Sequence, residues 1–230
     1  MSDEIILSFR TKQRALVMEL ESTAIPIRRT MFEILQRELA NEGITFDEPA
    51  MMRLGLHAVP AHLVADIAVA YSLPEGARSN LLRTLQQDLS EYFRSAAVAM
   101  VPGLSQVLDQ ARAAGAAVGL LSWQSEPEVR ALVERIGLTK WEPVVSCTPN
   151  PDREFPGVDA WLQLLLQMNR QPQDSVALCR HRAAARTALT AGLRVVVVPD
   201  DFTLFQDFSG VDALAHHFED LTAQQLFGAV

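Results

Sequence analysis

The pentapeptide Glu19-Leu20-Glu21-Ser22-Thr23 closes the apolar run Ala15-Leu16-Val17-Met18. Two carboxylates at i and i+2 of a strand project to the same side, because strand side chains alternate with period two. At the carboxyl end of a parallel strand, where open α/β sheets bind their ligands, such a pair can hold a metal ion or attack a phosphoryl group. Ser122 stands in a comparable place, after the apolar segment 117–121 and before a helix start, where its hydroxyl can touch a phosphate. The cluster Arg180-His181-Arg182 suits an anion, and Asp200-Asp201 after Val195–Val198 suits either a metal ligand or a turn. His57 and His62 are candidate substrate contacts, whereas His216-His217 reads as a surface pair. Cys179 lacks the C-x₅-R spacing of a thiol phosphatase, since position 185 is Ala, and reads as a buried structural thiol.

Composition limits what this chemistry serves. The chain has 230 residues, 49% hydrophobic, with a net charge of −8; its mean hydropathy is +0.09 and its pI about 5.1. That is enough apolar material for a core, and the length fits one core domain with an inserted subdomain or two small domains. The acidic balance argues against nucleic acid or an anionic membrane as partner. No apolar stretch approaches the roughly 20 residues of a membrane span. Met1-Ser2-Asp3-Glu4 lacks the basic start of a signal peptide, and Cys147 and Cys179 form no C-x-x-C or zinc spacing. A cytoplasmic protein is expected. Lys12 and Lys140 are the only lysines, which makes a catalytic lysine scarce.

The elements that must carry these residues follow from periodicity. From Pro102 onward, helical stripes alternate with short apolar strands. Leu104, Val107, Leu108 and Ala111 form an i, i+3, i+4, i+7 face ended by Gly115, followed by a strand at 117–121. Ser125-Glu126-Pro127-Glu128 is a capping box opening a helix that stops at Gly137. Further strands are expected at 143–146, 176–179 and 195–198. Helices are expected at 158–168, burying Trp161, Leu162 and Leu165, and at 183–191. Such alternation implies right-handed β-α-β units and a parallel sheet. Residues 24–99 are helical in pattern throughout, at 31–40, 49–54, 61–71 and 76–93, and form an insertion directly after the first strand's acidic loop. The segment Ile5 to Phe9 reads as an edge strand or a loosely attached tail.

This layout resembles the haloacid-dehalogenase-like (HAD) superfamily with a helical cap, in its β-phosphoglucomutase-like branch. Glu19-Leu20-Glu21-Ser22-Thr23 is similar to the signature D-x-D-G-T, with each Asp lengthened to Glu and Gly replaced by Ser. Gly55-Leu56-His57 resembles the G-h-S turn of the cap that senses substrate, and Val101-Pro102-Gly103 the h-P-G that follows the cap. His217-Phe218-Glu219-Asp220-Leu221 is similar to the I-x-S-L-x-E-L ending. The resemblance implies an α/β fold with a Rossmann-like three-layer parallel core at 1–23 and 100–230 and a helical cap at 24–99. It assigns Glu19 the nucleophile position, Glu21 the acid/base position, Ser122 the phosphoryl-binding hydroxyl, and Thr23 and His57 binding roles.

The departures matter more. The lysine of the family's K-P dipeptide corresponds to Phe155 before Pro156, and the acidic pair of the fourth motif to Cys179 and Arg180. An extra methylene displaces a carboxylate by about 1 Å, enough to cost ~10²-fold in rate. Losing a phosphoryl clamp costs about 3 kcal/mol of transition-state stabilisation. An arginine in place of a metal ligand opposes Mg²⁺ directly. The leading expectation is a HAD-like protein that has lost phosphatase and phosphomutase activity and serves a binding or regulatory role, without cofactor. Its ligand would be a small phosphorylated molecule or other anion, and self-association is allowed. One alternative is a weak Mg²⁺-dependent phosphohydrolase, and another a cap-mediated assembly protein. Two buried glutamates without a metal need a counter-charge, and Arg180 is expected to reach Glu19 or Glu21 as a bidentate partner.

Overall fold

The computed structural model describes residues 13–55, 59–149, 151 and 155–228. Among them, six strands form one parallel sheet: β1 (Ala15–Glu19), β2 (Ala117–Ser122), β3 (Val144–Cys147), β4 (Ser175–Cys179), β5 (Arg194–Val197) and β6 (Ala213–Leu214). Their spatial order is β3-β2-β1-β4-β5-β6, each neighbouring pair parallel. The chain leaves β1 toward β2 on one side and returns from β3 to β4 on the other. The order therefore reverses between β1 and β4, which creates the crevice where such sheets bind ligands.

Period-two alternation decides which layer each strand residue faces. Leu16 and Met18 of β1 join Val176 and Leu178 of β4 in one core cluster, while Ala15 and Val17 join Ala177 and Cys179 in another. The first layer holds α5 (Leu104–Ala113), α6 (Glu126–Arg135) and α9 (Ala223–Phe227); the second holds α7 (Val158–Gln167) and α8 (Arg182–Thr190). Helix α6 starts from the expected capping box, with Ser125 Oγ donating to Glu128 Oε2 over 2.6 Å. In α7, Trp161 and Leu165 are buried as expected. Leu162 instead is 39% exposed, and Leu164 takes the inward place because it completes the i, i+3, i+4 face from Trp161.

Between the turn after β1 and α5 the described residues form four α-helices, α1 (Ile27–Asn41), α2 (Glu48–Leu54), α3 (Pro60–Ala70) and α4 (Glu75–Arg94). Leu81, Leu85, Leu89 and Phe93 make the buried stripe of α4 and are continuous with the first core cluster. None of the described helices is long and apolar enough to cross a membrane. The segment Ile5 to Phe9 lies outside the described residues, as does His57. Strand β6 escapes the pattern because two residues carry no period.

Gly119 marks the tightest point between β2 and α7. A Cβ there would sit 2.6 Å from Met168 Sδ, 3.0 Å from Val17 Cγ1 and 3.1 Å from Leu164 Cδ2. Replacing Gly119 with Val should therefore destabilise the protein by about 1–3 kcal/mol through overpacking, read from the urea midpoint at unchanged m-value.

Candidate functional site

Strand β1 ends at Glu19, and Leu20–Ala24 form one wide helical turn closed by Ile25 N donating to the Leu20 carbonyl at 3.1 Å. The i, i+2 strand rule therefore does not reach Glu21. Both carboxylates are buried, at 2% and 1% exposure, but each is held from a different direction.

Glu19 Oε2 lies 2.8 Å from His181 Nε2. On its other side the His181 ring caps α8, with Nδ1 accepting the Ala184 N–H at 3.4 Å. Because Nδ1 accepts, the ring proton sits on Nε2 and is donated to Glu19. Burial pushes the Glu19 carboxyl up, yet His181, the Ser22 hydroxyl and the Arg28 charge together pull it below the ordinary value. Ser22 Oγ does this from nearby, without a hydrogen bond of good geometry.

Glu21 Oε1 accepts from Ser122 Oγ in a very short bond and from Gln124 Nε2 at 3.0 Å. Ser122 Oγ in turn accepts the Gln124 N–H at 3.0 Å, so the hydroxyl is engaged as donor and acceptor within the protein. Burial pushes Glu21 up to about 7; the two hydrogen bonds restrain the rise and the Glu19 charge adds to it. Thr23 Oγ1 points to the Leu178 carbonyl at 3.5 Å, tying the turn to β4. Glu19 Oε1, Glu21 Oε2 and Arg28 Nη2 are buried without a hydrogen-bond partner among the described residues.

The expected Arg180 pair is corrected: His181, not Arg180, meets the acid. Register pairs Met18 with Leu178, so odd-numbered residues of β1 and β4 share one face. His181 continues in extended conformation and falls on the face of Glu19, while Arg180 turns to the other. There Arg180 Nε donates to the Val198 carbonyl at 3.2 Å and the guanidinium lies 5.7 Å from the Phe218 ring. That parity depends on the register of β4 against β1, which the structure supplies and the sequence alone does not. Arg28 had no sequence signal. It is 3% exposed, gives Nε to Asp200 Oδ2 at 3.0 Å and Nη1 to the Gly55 carbonyl at 2.9 Å.

Other candidates fall into place around this centre. Phe155 is packed in the second core cluster. Burial, helped by the Glu19 charge, raises the Cys179 thiol well above its ordinary value, which leaves it inert. Asp200 Oδ1 accepts the Phe202 N–H at 3.0 Å in a turn. His62 Nε2 is 3.0 Å from the Pro151 carbonyl and so links α3 to the loop after β3. A cleft of about 380 Å³ lies beside this link, walled by Leu89, Phe93, Trp123, Gln124, Pro149 and Pro151. Gln124 thus joins the cleft to Glu21.

A magnesium ion, which the acidic pair would suggest, does not fit these donors. It requires octahedral oxygen ligands at about 2.1 Å. Glu19 Oε2 is engaged by His181, burial raises Glu21 to about 7, and the end of β4 with the residue after it offers a thiol and a guanidinium. Among the described residues no group of three or more His, Cys, Asp or Glu could hold a metal ion.

Comparison with known proteins gives three findings. No protein-family model matches the chain. CbbY of Rhodobacter capsulatus is 28% identical over 140 residues, 58% of this chain and 60% of that protein; CbbY of Cereibacter sphaeroides is 27% identical over 138 residues, 54% and 55% respectively. The chain thus spans little more than half the length of the curated relatives it matches. A crystal structure of CbbY from Rhodobacter sphaeroides in complex with phosphate has a TM-score of 0.71 at 19% identity, covering 90% of this chain and 95% of that one. A CbbY mutant from the same organism in complex with xylulose-(1,5)bisphosphate gives 0.73 at the same identity and coverage. A β-phosphoglucomutase from Clostridium difficile gives 0.72 at 13% identity, covering 91% and 93%. At these identities the structural likeness is one of fold.

Two outcomes follow for the buried acids. Changing His181 to Ala should cost about 3–5 kcal/mol, because it leaves the Glu19 charge buried without its partner, and His181→Asn should recover roughly 1 kcal/mol through the cap; urea unfolding measures both. The pH dependence has two signs. Glu19, lowered on folding, contributes stability above pH 4.5 that is lost as pH falls through its folded value. Glu21, raised from 4.5 to about 7, makes the folded state bind the extra proton, so stability falls as pH rises across that window. Glu21→Gln should remove the second slope and gain up to about 3 kcal/mol relative to wild type at pH 8.

Proposed function

From the haloacid-dehalogenase-like fold of this chain, we propose that the protein is a binding scaffold that has given up phosphoryl transfer. In this reading residues 24–99 form the helical cap on a core of 1–23 and 100–230. The observation that carries the reading is the closure of the acidic centre: Glu19 is held by a histidine that also caps α8, and Ser122 is spent on Glu21 and Gln124. Phe155, at the position of the phosphoryl-clamping lysine, is buried in the core and offers no charge. The histidine holds Glu19 Oε2 and burial encloses Oε1, so attack requires exposing a buried charge, which opposes catalysis rather than preparing it.

A small phosphorylated metabolite is the ligand class best supported, since the similar CbbY structures hold phosphate and a xylulose bisphosphate. The 380 Å³ cleft is in the size range of small-molecule sites and its wall is mainly apolar, with Gln86, Ser90, Gln124 and Ser125 as hydrogen-bonding groups. Its charged wall residue among those described is Glu128, so it suits the uncharged body of a ligand rather than the phosphate. Cytoplasmic residence is proposed with the same reading.

One observation favours a second reading. An acid titrating near 7 is matched to proton transfer at neutral pH, and Glu21 does so beside an ionised Glu19. A weak phosphohydrolase would use the two as acid/base and nucleophile. Incubation with a panel of sugar phosphates and Mg²⁺, beside Glu19→Ala, separates the two. The scaffold reading expects phosphate release no greater than in the variant, together with thermal stabilisation by a member of the panel. Release abolished by the substitution establishes the second reading.

A further inference from the structure

On the face of the sheet opposite Glu19, the loops after β4 and β5 and the start of α1 line a half-open cavity of about 110 Å³. Its walls include Arg28, Arg29, Arg180, Asp200 and Asp201. Two of the three guanidinium groups are accounted for. Arg28 is paired with Asp200 at 3.0 Å, and Arg29 with Glu48 at 2.5 Å and Asp201 at 3.3 Å. Arg180 has no carboxylate of its own. It is 9% exposed, its guanidinium donates through Nε to the Val198 carbonyl and lies 5.7 Å from the Phe218 ring, and no carboxylate among the described residues lies within ion-pair distance. Burial works against its charge, as does Arg28, while Asp200 and Asp201 favour it from a distance. Arg28 adds a buried Nη2 without any acceptor.

A buried guanidinium nitrogen without an acceptor, as at Arg28 Nη2, is costly unless an anion completes it, and Arg180 faces the same cavity. Its planar fork is shaped for two oxygens of a carboxylate or phosphate. We infer that this cavity is an oxyanion site, with Arg180 as its principal ligand and Arg28 and Arg29 as supporting cations. The cavity admits one phosphate, sulfate or carboxylate group and is too small for a sugar or a nucleoside, so a larger ligand presents only its charged end. Asp200 shapes the site by fixing Arg28 and accepting the Phe202 N–H. Asp201, 80% exposed, competes with the incoming anion for Arg29. The site goes beyond the cleft reading and does not depend on whether Glu19 is catalytic.

The test is thermal unfolding of the full chain in increasing inorganic phosphate, against sodium chloride at equal ionic strength, with sodium acetate as the carboxylate arm. Phosphate should raise Tm saturably beyond the chloride control, and Arg180→Gln should abolish the increment, while Arg182→Gln, exposed on the adjoining helix, keeps it. Asp201→Asn, which leaves Arg180 intact, should tighten the apparent phosphate affinity about twofold to fivefold, the range expected from removing an exposed competing pair. Acetate acting as well as phosphate at equal concentration would assign the site to carboxylates within the same chemistry. Equal shifts in phosphate, acetate and chloride, or a saturable phosphate effect that survives Arg180→Gln, overturn the inference. So does an unchanged affinity in Asp201→Asn, which serves if Arg180→Gln fails to fold. Because the readout is stability, phosphate-ester turnover would sink the scaffold reading and leave this one standing.

Discussion

A single imidazole bridges the first strand and the helix after the fourth. His181 donates to Glu19 through Nε2 and caps α8 through Nδ1. Two strands held in parallel register at the reversal point of the sheet bring these residues together. The contact sets the ionisation of Glu19, fixes which ring nitrogen carries the proton, and satisfies one of the orphan N–H groups at the helix start. A carboxylate in this position would otherwise be a charge buried in protein, at a cost of several kcal/mol.

Charge around the crevice is divided by sheet face. On the Glu19 face, the acid meets a histidine. At the wide turn, Glu21 is kept partly neutral and enclosed by Ser122 and Gln124. On the other face, arginines gather with Asp200 and Asp201. The result is an acidic centre held by its own neighbours, next to a basic cavity whose principal cation has no carboxylate partner among the described residues. The extra methylene of each glutamate matters here in a constructive way: it extends the carboxylate to partners at the ends of β2 and β4 and in the loops that follow them, where a shorter side chain would stop nearer the backbone. Phosphoryl transfer needs the opposite arrangement, with oxygen donors open to solvent and substrate and a cation held among them.

The alternation of the second half was legible because apolar runs of four to six residues bounded by Gly, Pro and a capping box carry strong local signals. Strand and helix positions from Leu104 to Val197 follow those signals within a residue or two. The strand reading of Glu21 failed because a wide helical turn has no sequence mark: Leu20-Glu21-Ser22 continues the alternation of the strand while the backbone abandons it. Charge alone points to Arg180 as the counter-ion of the glutamates. Register and parity, which depend on how β1 and β4 align, decide the matter. Arg28 lies early in a helix of the insertion, and only tertiary packing brings it beside Asp200, 172 residues away. Local pattern specifies elements well; the site depends on pairings between elements that single-sequence periodicity does not encode.

The central claim is that Glu19 belongs to His181 and is not available to a metal or a phosphoryl group. Nitrogen-15 NMR of the His181 ring, recorded with and without excess Mg²⁺, tests it most directly. The account predicts a protonated Nε2 and a bare Nδ1 whose resonances are unchanged by the ion. A saturable Mg²⁺-dependent shift of those resonances, absent in Glu19→Gln, would show the carboxylate passing to the metal and would contradict it.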